Sequence, residues 1–451
     1  MNREDLYFRS PALVQEALST AAGFGVDRQR YGASYPETEV EYASRSAWSA
    51  DALHVYGRAR RARALALASQ TPYYSQVFAD LDAAWFELVE DSAFSHIPAT
   101  PKSALRETPD AFAPRPQLES DAMTRTSGTT GSSIGVLRSR AAVDEQWAVW
   151  WRYRGWHGIR RGEPCALFAG RRIMRADQGS PFWRRNVSGH ELRFSTYHIS
   201  PSSAPAYIDR LNAFAPRWIH GFSSGIANLA ACIVEHNLEV TAPIRWITLG
   251  GENVTGLQME TIRAAFGVQP VQHYGLAEGA ANFSTCVHGK LHVDEDFAGV
   301  EFLPEGNGIT RILGTTFANS ARVLLRYDTG DLATLAGDDA SCACGFGGRV
   351  VDSLDGRGDE TITLPDGRLV GSPEDAFRTD LGVARAQIMQ RRDGSLRVSY
   401  VPSARWSNTS LSRVEEALRA FVGHQIAITF AEVEEIPRTS GGKVRLVVKE
   451  S

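Results

Sequence analysis

From residue 142 to residue 275 short apolar runs alternate with stretches of helical periodicity, and no other feature limits the fold of this chain as strongly. Apolar spacing predicts helices over Ala142–Trp156, Ala204–Phe214 and Ile226–His236, and a further one that ends at Phe266. Between them "CALFAG" (Cys165–Gly170), "RWIHGF" (Arg217–Phe222), "IRWITLGGE" (Ile244–Glu252) and "VQPVQHYG" (Val268–Gly275) read as strands. Parallel neighbours need a crossover connection, usually a helix, so this order predicts a mainly parallel, layered α/β sheet. Ligands of such sheets bind beyond the carboxyl ends of the strands. The residues just after each apolar run are therefore the first candidates for function.

The flanks read differently. Helical spacing runs from about Val55 to Phe78, and its basic run Arg58–Ser69 is a solvated helix face. The proline-broken stretch Phe94–Phe112 reads as a connector, and residues 1–50 are a polar extension to which the sequence assigns no element. Past Gly299 the runs "GITRILGTTF" and "ARVLLRYDTGDLATL" are strand-like. From about Arg357 a compact segment follows: a strand, a helix near Glu374–Leu381, two strands, a helix over Ser412–Val422 and two more strands. The expected division is a large α/β domain, 1–355, and a small α+β domain, 356–451.

With 451 residues the chain is too long for one ordinary core. A net charge of -4 gives no footprint for nucleic acid or a membrane surface, and no apolar run is long enough to span a bilayer. The amino terminus "MNREDLYFRS" lacks the build of a signal peptide. Five cysteines, an odd number, fit thiols or metal ligands in a reducing compartment, and a cytoplasmic location is expected.

"TRTSGTTGSSIG" (Thr124–Gly135) crowds glycines and hydroxyls together without an acidic residue. Its backbone N–H groups and hydroxyls can cradle phosphate, although such composition also suits a plain flexible loop. No lysine follows it nearby, so the positive charge a phosphate needs must come from a metal ion or from elsewhere in the chain. Cys286, His292, Cys342 and Cys344 form a Cys3His set of the kind zinc takes, with His288 a competing ligand. "GFSSG" (Gly221–Gly225) satisfies the nucleophile-elbow pattern between a strand and a helix, which leaves open a serine esterase using Ser223.

Four further motifs follow the Ser/Thr/Gly stretch in order: "QHYGLAEG" (Gln272–Gly279), "RYDTGDLA" (Arg326–Ala333), "DGRGDE" (Asp355–Glu360) and "IPRTSGGKVR" (Ile436–Arg445). Together the five resemble the adenylate-forming superfamily. "WIHGFSSGIANLA", "ITLGGE" and "CVHGKLHVDED" are most similar to its phenylacetate-CoA ligase and capsule-biosynthesis branch. The resemblance spans roughly Val55 to Glu450. It implies that ATP and an acid form an acyl-adenylate and pyrophosphate, after which CoA or an amine displaces AMP.

The resemblance assigns roles residue by residue. Thr126, Ser127, Thr129 and Thr130, with the amides of Gly128 and Gly131, would hold the β,γ-phosphates, and Glu278 would bind Mg2+. Gly250, Gly251, Glu252, Tyr274 and Gly275 would line the adenine, while Asp331 and Arg357 would reach the ribose. His198, His220, Gly221 and Phe222 are candidates for the acid pocket. Lys443 is the expected catalytic cation, Asp359 the hinge, and Cys286, His292, Cys342 and Cys344 the expected zinc ligands. Ala277 stands where the family usually has Thr or Ser. That departure keeps open an amine acceptor, or another oxyacid such as nitrite in place of a small, aromatic carboxylic acid. A monomer or a homodimer is expected.

Overall fold

The computed structural model describes residues 3–125, 135–169, 172–175, 178–306, 308–337, 342–357, 362–365, 369–370, 374–377, 381–403, 405–437 and 444–450. The chain divides into two compact units: Met1–Phe24, Gly162–Val271 and Asp355–Ser451 in one, Gly25–Arg161 and Gln272–Leu354 in the other.

The first unit holds the predicted α/β sheet. Its strands lie in the order Trp246–Leu249, Trp218–Gly221, Cys165–Phe168, Glu191–Phe194, Trp183–Asn186, parallel except for the last. Helices Ala204–Phe214 and Ser223–His236 supply crossovers, and Gly256–Phe266 packs on the same core. One core joins Phe168, Ile219, Ile247 and Leu249 to Tyr207, Leu211, Leu229 and Ile262 of these helices. The hairpin of strands Trp183–Asn186 and Glu191–Phe194 was not legible, because "WRRN" carries two arginines. Arg184 is nevertheless fully buried, its Nε donating to Gln15 Oε1 at 2.5 Å.

Residues 383–449 of the same unit form a smaller sheet in the order Ile428–Glu432, Leu396–Pro402, Val383–Gln390, Val447–Lys449, packed on helix Ser410–Val422. Ile388, Val398, Val414, Leu418 and Val447 close a core of their own. The helix expected near 374–381 is only a 3-10 turn, Glu374–Phe377, among the described residues.

The second unit is mainly antiparallel. Its sheet runs Ala298–Gly306, Ile309–Thr316, Tyr327–Leu335, Val350–Arg357, Leu291–Val293, Asn282–Thr285, Val271–Gly275. The strand-like run from Ala321 becomes a strand only at Tyr327. The helix expected over Val55–Phe78 is two helices, Ala50–Ala68 and Pro72–Asp80. Pro72 cannot continue a helix but starts one, and Thr71 caps it by accepting from the Tyr74 N–H at 3.2 Å.

Residues 94–112 are more than a connector. Proline cuts them into short turns, yet Phe94, Ile97, Leu105 and Phe112 all sit in the core. The described residues up to 50 include helices Arg3–Arg9, Ala12–Arg30 and Tyr35–Ser44.

Candidate nucleotide site and metal centre

In the first unit the predicted acid-pocket residues gather at the carboxyl ends of the parallel strands. His220 lies on strand Trp218–Gly221, its Nδ1 2.8 Å from Thr248 Oγ1 on the neighbouring strand. Trp218 Nε1 donates to the same hydroxyl at 2.8 Å. Gly221 admits no side chain, since a Cβ would meet the Phe168 carbonyl oxygen at 2.0 Å. Gly251, at φ +81°, takes a turn that L residues resist, and a Cβ there would press on the Phe222 ring at 2.8 Å. His198 is held by Ser195 Oγ at 2.7 Å and stacks on Phe182.

Glu252 sits at the head of helix Ser223–His236. Its Oε2 accepts from the Ser224 N–H at 3.0 Å and from Ser223 Oγ at 3.3 Å, a carboxylate on the positive end of a helix. Ser223 Oγ also donates to the Asn253 carbonyl at 3.0 Å, and the residue is 1% exposed. Both bonds go to the Glu252–Asn253 turn rather than to an imidazole. This is the geometry of a helix start, without the base an esterase nucleophile needs.

The second unit brings together Tyr274, Glu278 and Asp331. Tyr274 lies on strand Val271–Gly275 and its hydroxyl donates to Asp331 Oδ2 at 2.8 Å. Burial, reinforced by the Asp331 charge, pushes the phenol well above its usual pKa, so it stays a donor. Asp331 is buried, and one carboxylate has room for further donors beside the phenol. Glu278 is 2% exposed, and Oε1 accepts from the Tyr327 hydroxyl at 2.9 Å. Lys102 Nζ lies 4.0 Å from the same oxygen. A buried carboxylate is the hard oxygen donor Mg2+ selects, so Glu278 fits that ion.

Sequence reasoning missed Lys102, Tyr327 and Arg138 as neighbours of Glu278. The one available signal was that Lys102 is among only four lysines of the chain.

Cys286, His292, Cys342 and Cys344 converge in this unit with all ligand atoms within 4.8 Å of one another. The Cys286 and Cys342 sulfurs are 3.6 Å apart, and Cys344 Sγ is 3.4 Å from His292 Nε2. A tetrahedral zinc with ordinary bond lengths has ligand edges of about 3.8 Å between sulfurs and about 3.6 Å between nitrogen and sulfur. The fit is close. His292 Nδ1 lies 2.8 Å from the Gly348 carbonyl, which fixes the proton there and leaves Nε2 as the ligand atom. Burial opposes ionisation of Cys342, yet hydrogen bonds from the Cys344 backbone and the His292 side chain hold its thiol down to about 7. His288 is exposed and stands outside the cluster.

Behind the Cys3His cluster lies a buried ion network. Arg152 on helix Arg140–Trp156 binds Asp296 at 2.7 and 2.9 Å and Asp294 at 2.8 Å. Burial pushes Asp294 up to about 6 against the pull of Arg152.

Gly275 is an exposed strand end and Gly250 a strand-end turn, while Arg357 closes strand Val350–Arg357. Thr126, Ser127, Gly128, Thr129, Thr130, Gly131, Asp359 and Lys443 lie outside the described residues.

Residues 373–450 match the model of the CapK C-terminal domain. The chain is 27% identical over 211 residues to Protein CapK of Staphylococcus aureus, a match covering 47% of this chain and 47% of that protein. It thus spans about half the length of that relative. Among solved structures, a 2-hydroxyisobutyryl-CoA ligase in its postadenylation state, in complex with an acyl-adenylate, is similar at a TM-score of 0.67 and 16% identity, over 87% of this chain and 89% of that one. An anthranilate CoA ligase in complex with anthranoyl-AMP is similar at 0.51 and 15%, over 72% of this chain and 65% of that one. The fold is therefore that of the adenylate-forming CoA ligases, a large α/β part followed by a smaller C-terminal one.

Proposed function

We propose that this chain is an ATP-dependent, AMP-forming ligase that activates a small carboxylic acid, of aromatic class, and passes it to CoA. The observation that carries the proposal is the bond from the half-buried Tyr274 hydroxyl to the buried Asp331, with buried Glu278 in the same unit, on a fold shared with ligases that hold acyl-adenylates. In this reading a carboxylate oxygen of the acid attacks the α-phosphorus of ATP. The bond to the bridging oxygen breaks, its electron pair leaves with pyrophosphate, and the CoA sulfur later displaces AMP.

Each residue then has a part. Glu278 holds Mg2+, Asp331 and Arg357 take the ribose hydroxyls, and the Tyr274 ring faces adenine. The Ser/Thr/Gly loop from Thr126 to Gly131 takes the phosphates. His220 and Phe222, with the side-chain-free strip at Gly221, Gly250 and Gly251, bound the acid. Lys443 is the cation for adenylation, carried by a small domain that turns about Asp359. The Cys286–His292–Cys342–Cys344 cluster holds a structural zinc that braces the second unit.

Ala277 favours a second reading in one respect. Without the hydroxyl beside Glu278, one hydrogen bond near the α-phosphate is missing, which suits a different oxyacid or an amine acceptor. ATP–pyrophosphate exchange across a panel of acids, nitrite included, tests both. AMP and pyrophosphate with some acid support the proposal, and release of ADP overturns it.

A further inference from the structure

Lys102 lies outside every motif of the nucleotide reading, yet the fold sets it against Glu278. The backbone fixes its position. Thr100 N donates to the Arg326 carbonyl at 2.9 Å and Asp328 N to the Thr100 carbonyl at 2.9 Å, so Thr100 runs parallel beside Tyr327. Tyr327 is the residue whose hydroxyl donates to Glu278 Oε1, and Lys102 opens helix Lys102–Glu107 two residues after Thr100. Leu105, fully buried, pins that helix to the core. The Lys102 side chain keeps 28% of its surface exposed, enough to swing.

A second cation acts on the same carboxylate. Arg138 ends strand Gly135–Arg138, the strand that leaves the Ser/Thr/Gly stretch. It is 7% exposed, its Nη2 donates to the Ala142 carbonyl at 2.6 Å, and its Nε is buried with no partner. Burial lowers this guanidinium to about 10, while the nearby Glu278 charge supports its protonation. The buried Glu278 carboxylate thus has Lys102 near one oxygen and feels the charge of the buried Arg138. An excess positive charge there is costly until an anion arrives.

From this cluster we infer that Lys102 binds the β,γ-phosphate tail of the nucleoside triphosphate, and that in the nucleotide-free protein it occupies Glu278 in place of the divalent cation. The inference rests on the adenylation reading. When the metal–nucleotide complex enters, the divalent ion takes Glu278 and releases Lys102 toward the phosphates the ion brings with it. A lysine suits this exchange because its ammonium is a compact charge on a flexible stem, free of the fixed fork of arginine. AMP lacks the β- and γ-phosphates and makes no such contact.

The test is calorimetric titration of the full chain with MgATP and, separately, with AMP. Lys102→Met should weaken MgATP about 10- to 100-fold, the usual loss for a hydrogen bond to a charged group, and leave AMP affinity unchanged. Lys102→Arg, which keeps the charge, should bind MgATP within a few-fold of wild type. Equal MgATP affinity in wild type and Lys102→Met overturns the inference. So does a parallel loss of AMP, which would mark Lys102 as structural. Wild-type protein that binds neither nucleotide refutes the adenylation reading itself, a result distinct from the other two.

Discussion

Chelating the zinc proposed for the Cys3His cluster should destabilise the second unit far more than it slows any chemical step. The cluster ties the turn after strand Asn282–Thr285 to a segment 56 residues further on, through Cys286 and Cys342. Treated as a cross-link closing a loop of that length, the tie removes about 4 kcal/mol of chain entropy from the unfolded state. Apparent zinc affinities in small folds, about 10–16 kcal/mol, set the upper limit. For a body of roughly 150–250 residues each kcal/mol shifts the melting temperature by about 2–4 °C, so the lower figure alone predicts a drop of about 8–16 °C. The assay is elemental analysis for about one zinc per chain, then thermal unfolding with and without chelator. Cys344→Ser should reproduce the chelated melting temperature and add little further loss with chelator. Metal-free protein that melts within about a degree of the untreated protein would falsify the reasoning, since the cross-link entropy could not then be present.

Three other outcomes follow from particular contacts. Ser223→Ala should cost about 1 kcal/mol of stability through its bonds to Asn253 and Glu252, with pyrophosphate exchange retained; ATP-free ester hydrolysis lost in this variant would restore the esterase reading. Asp294, raised to about 6 in the fold against 3.8 free, takes up protons on folding between those values. Its contribution to stability is therefore fully present below about pH 4 and is lost as pH rises through 6, and the stability difference between wild type and Asp294→Asn should change with pH in that window and level off above it. A difference that stays constant from pH 4 to 7 contradicts this. Lys443→Ala should slow adenylate formation about 10²- to 10³-fold and spare thioester formation from pre-made adenylate, whereas Asp359→Pro should do the reverse; adenylation at the wild-type rate in Lys443→Ala removes that residue from the step.

The α/β sheet of the first unit was legible because its parallel strands are covered on both faces and read as apolar runs without alternation. Cys165, Ala166 and Phe168 show this directly, each almost fully buried in the run "CALF", whose four residues are all apolar. The amino-terminal helices were illegible for the opposite reason. Among their inward positions, Gln15 and Tyr42 carry polar groups that bond to partners far away in sequence. Gln15 takes Arg184, and Tyr42 donates to Glu145 at 2.8 Å. A search for an apolar stripe cannot find a helix whose buried side is built from hydrogen bonds. The stretch 94–112 was misjudged because three prolines in it, Pro98, Pro101 and Pro109, signal breaks without saying that the pieces between them are buried.

The candidate site divides along the same line. Residues whose proposed chemistry demands a type, such as Glu278, Asp331 and the four residues of the Cys3His cluster, stand out in a motif because few other side chains could replace them. Residues that matter by position do not. Lys102 reaches Glu278 only because Thr100 pairs with a backbone 225 residues downstream, where its hydroxyl also donates to the Leu325 carbonyl at 2.8 Å. Tyr327 donates to the same carboxylate and the Arg138 charge acts on it, from two further parts of the second unit. A carboxylate surrounded this way is held in one orientation before any ligand arrives. The ordering cost of the metal–phosphate complex is then met in folding, leaving more of the contact energy for binding and for the transition state. This gives a physical reason for a motif glutamate to be fully buried when its proposed ligand comes from solution.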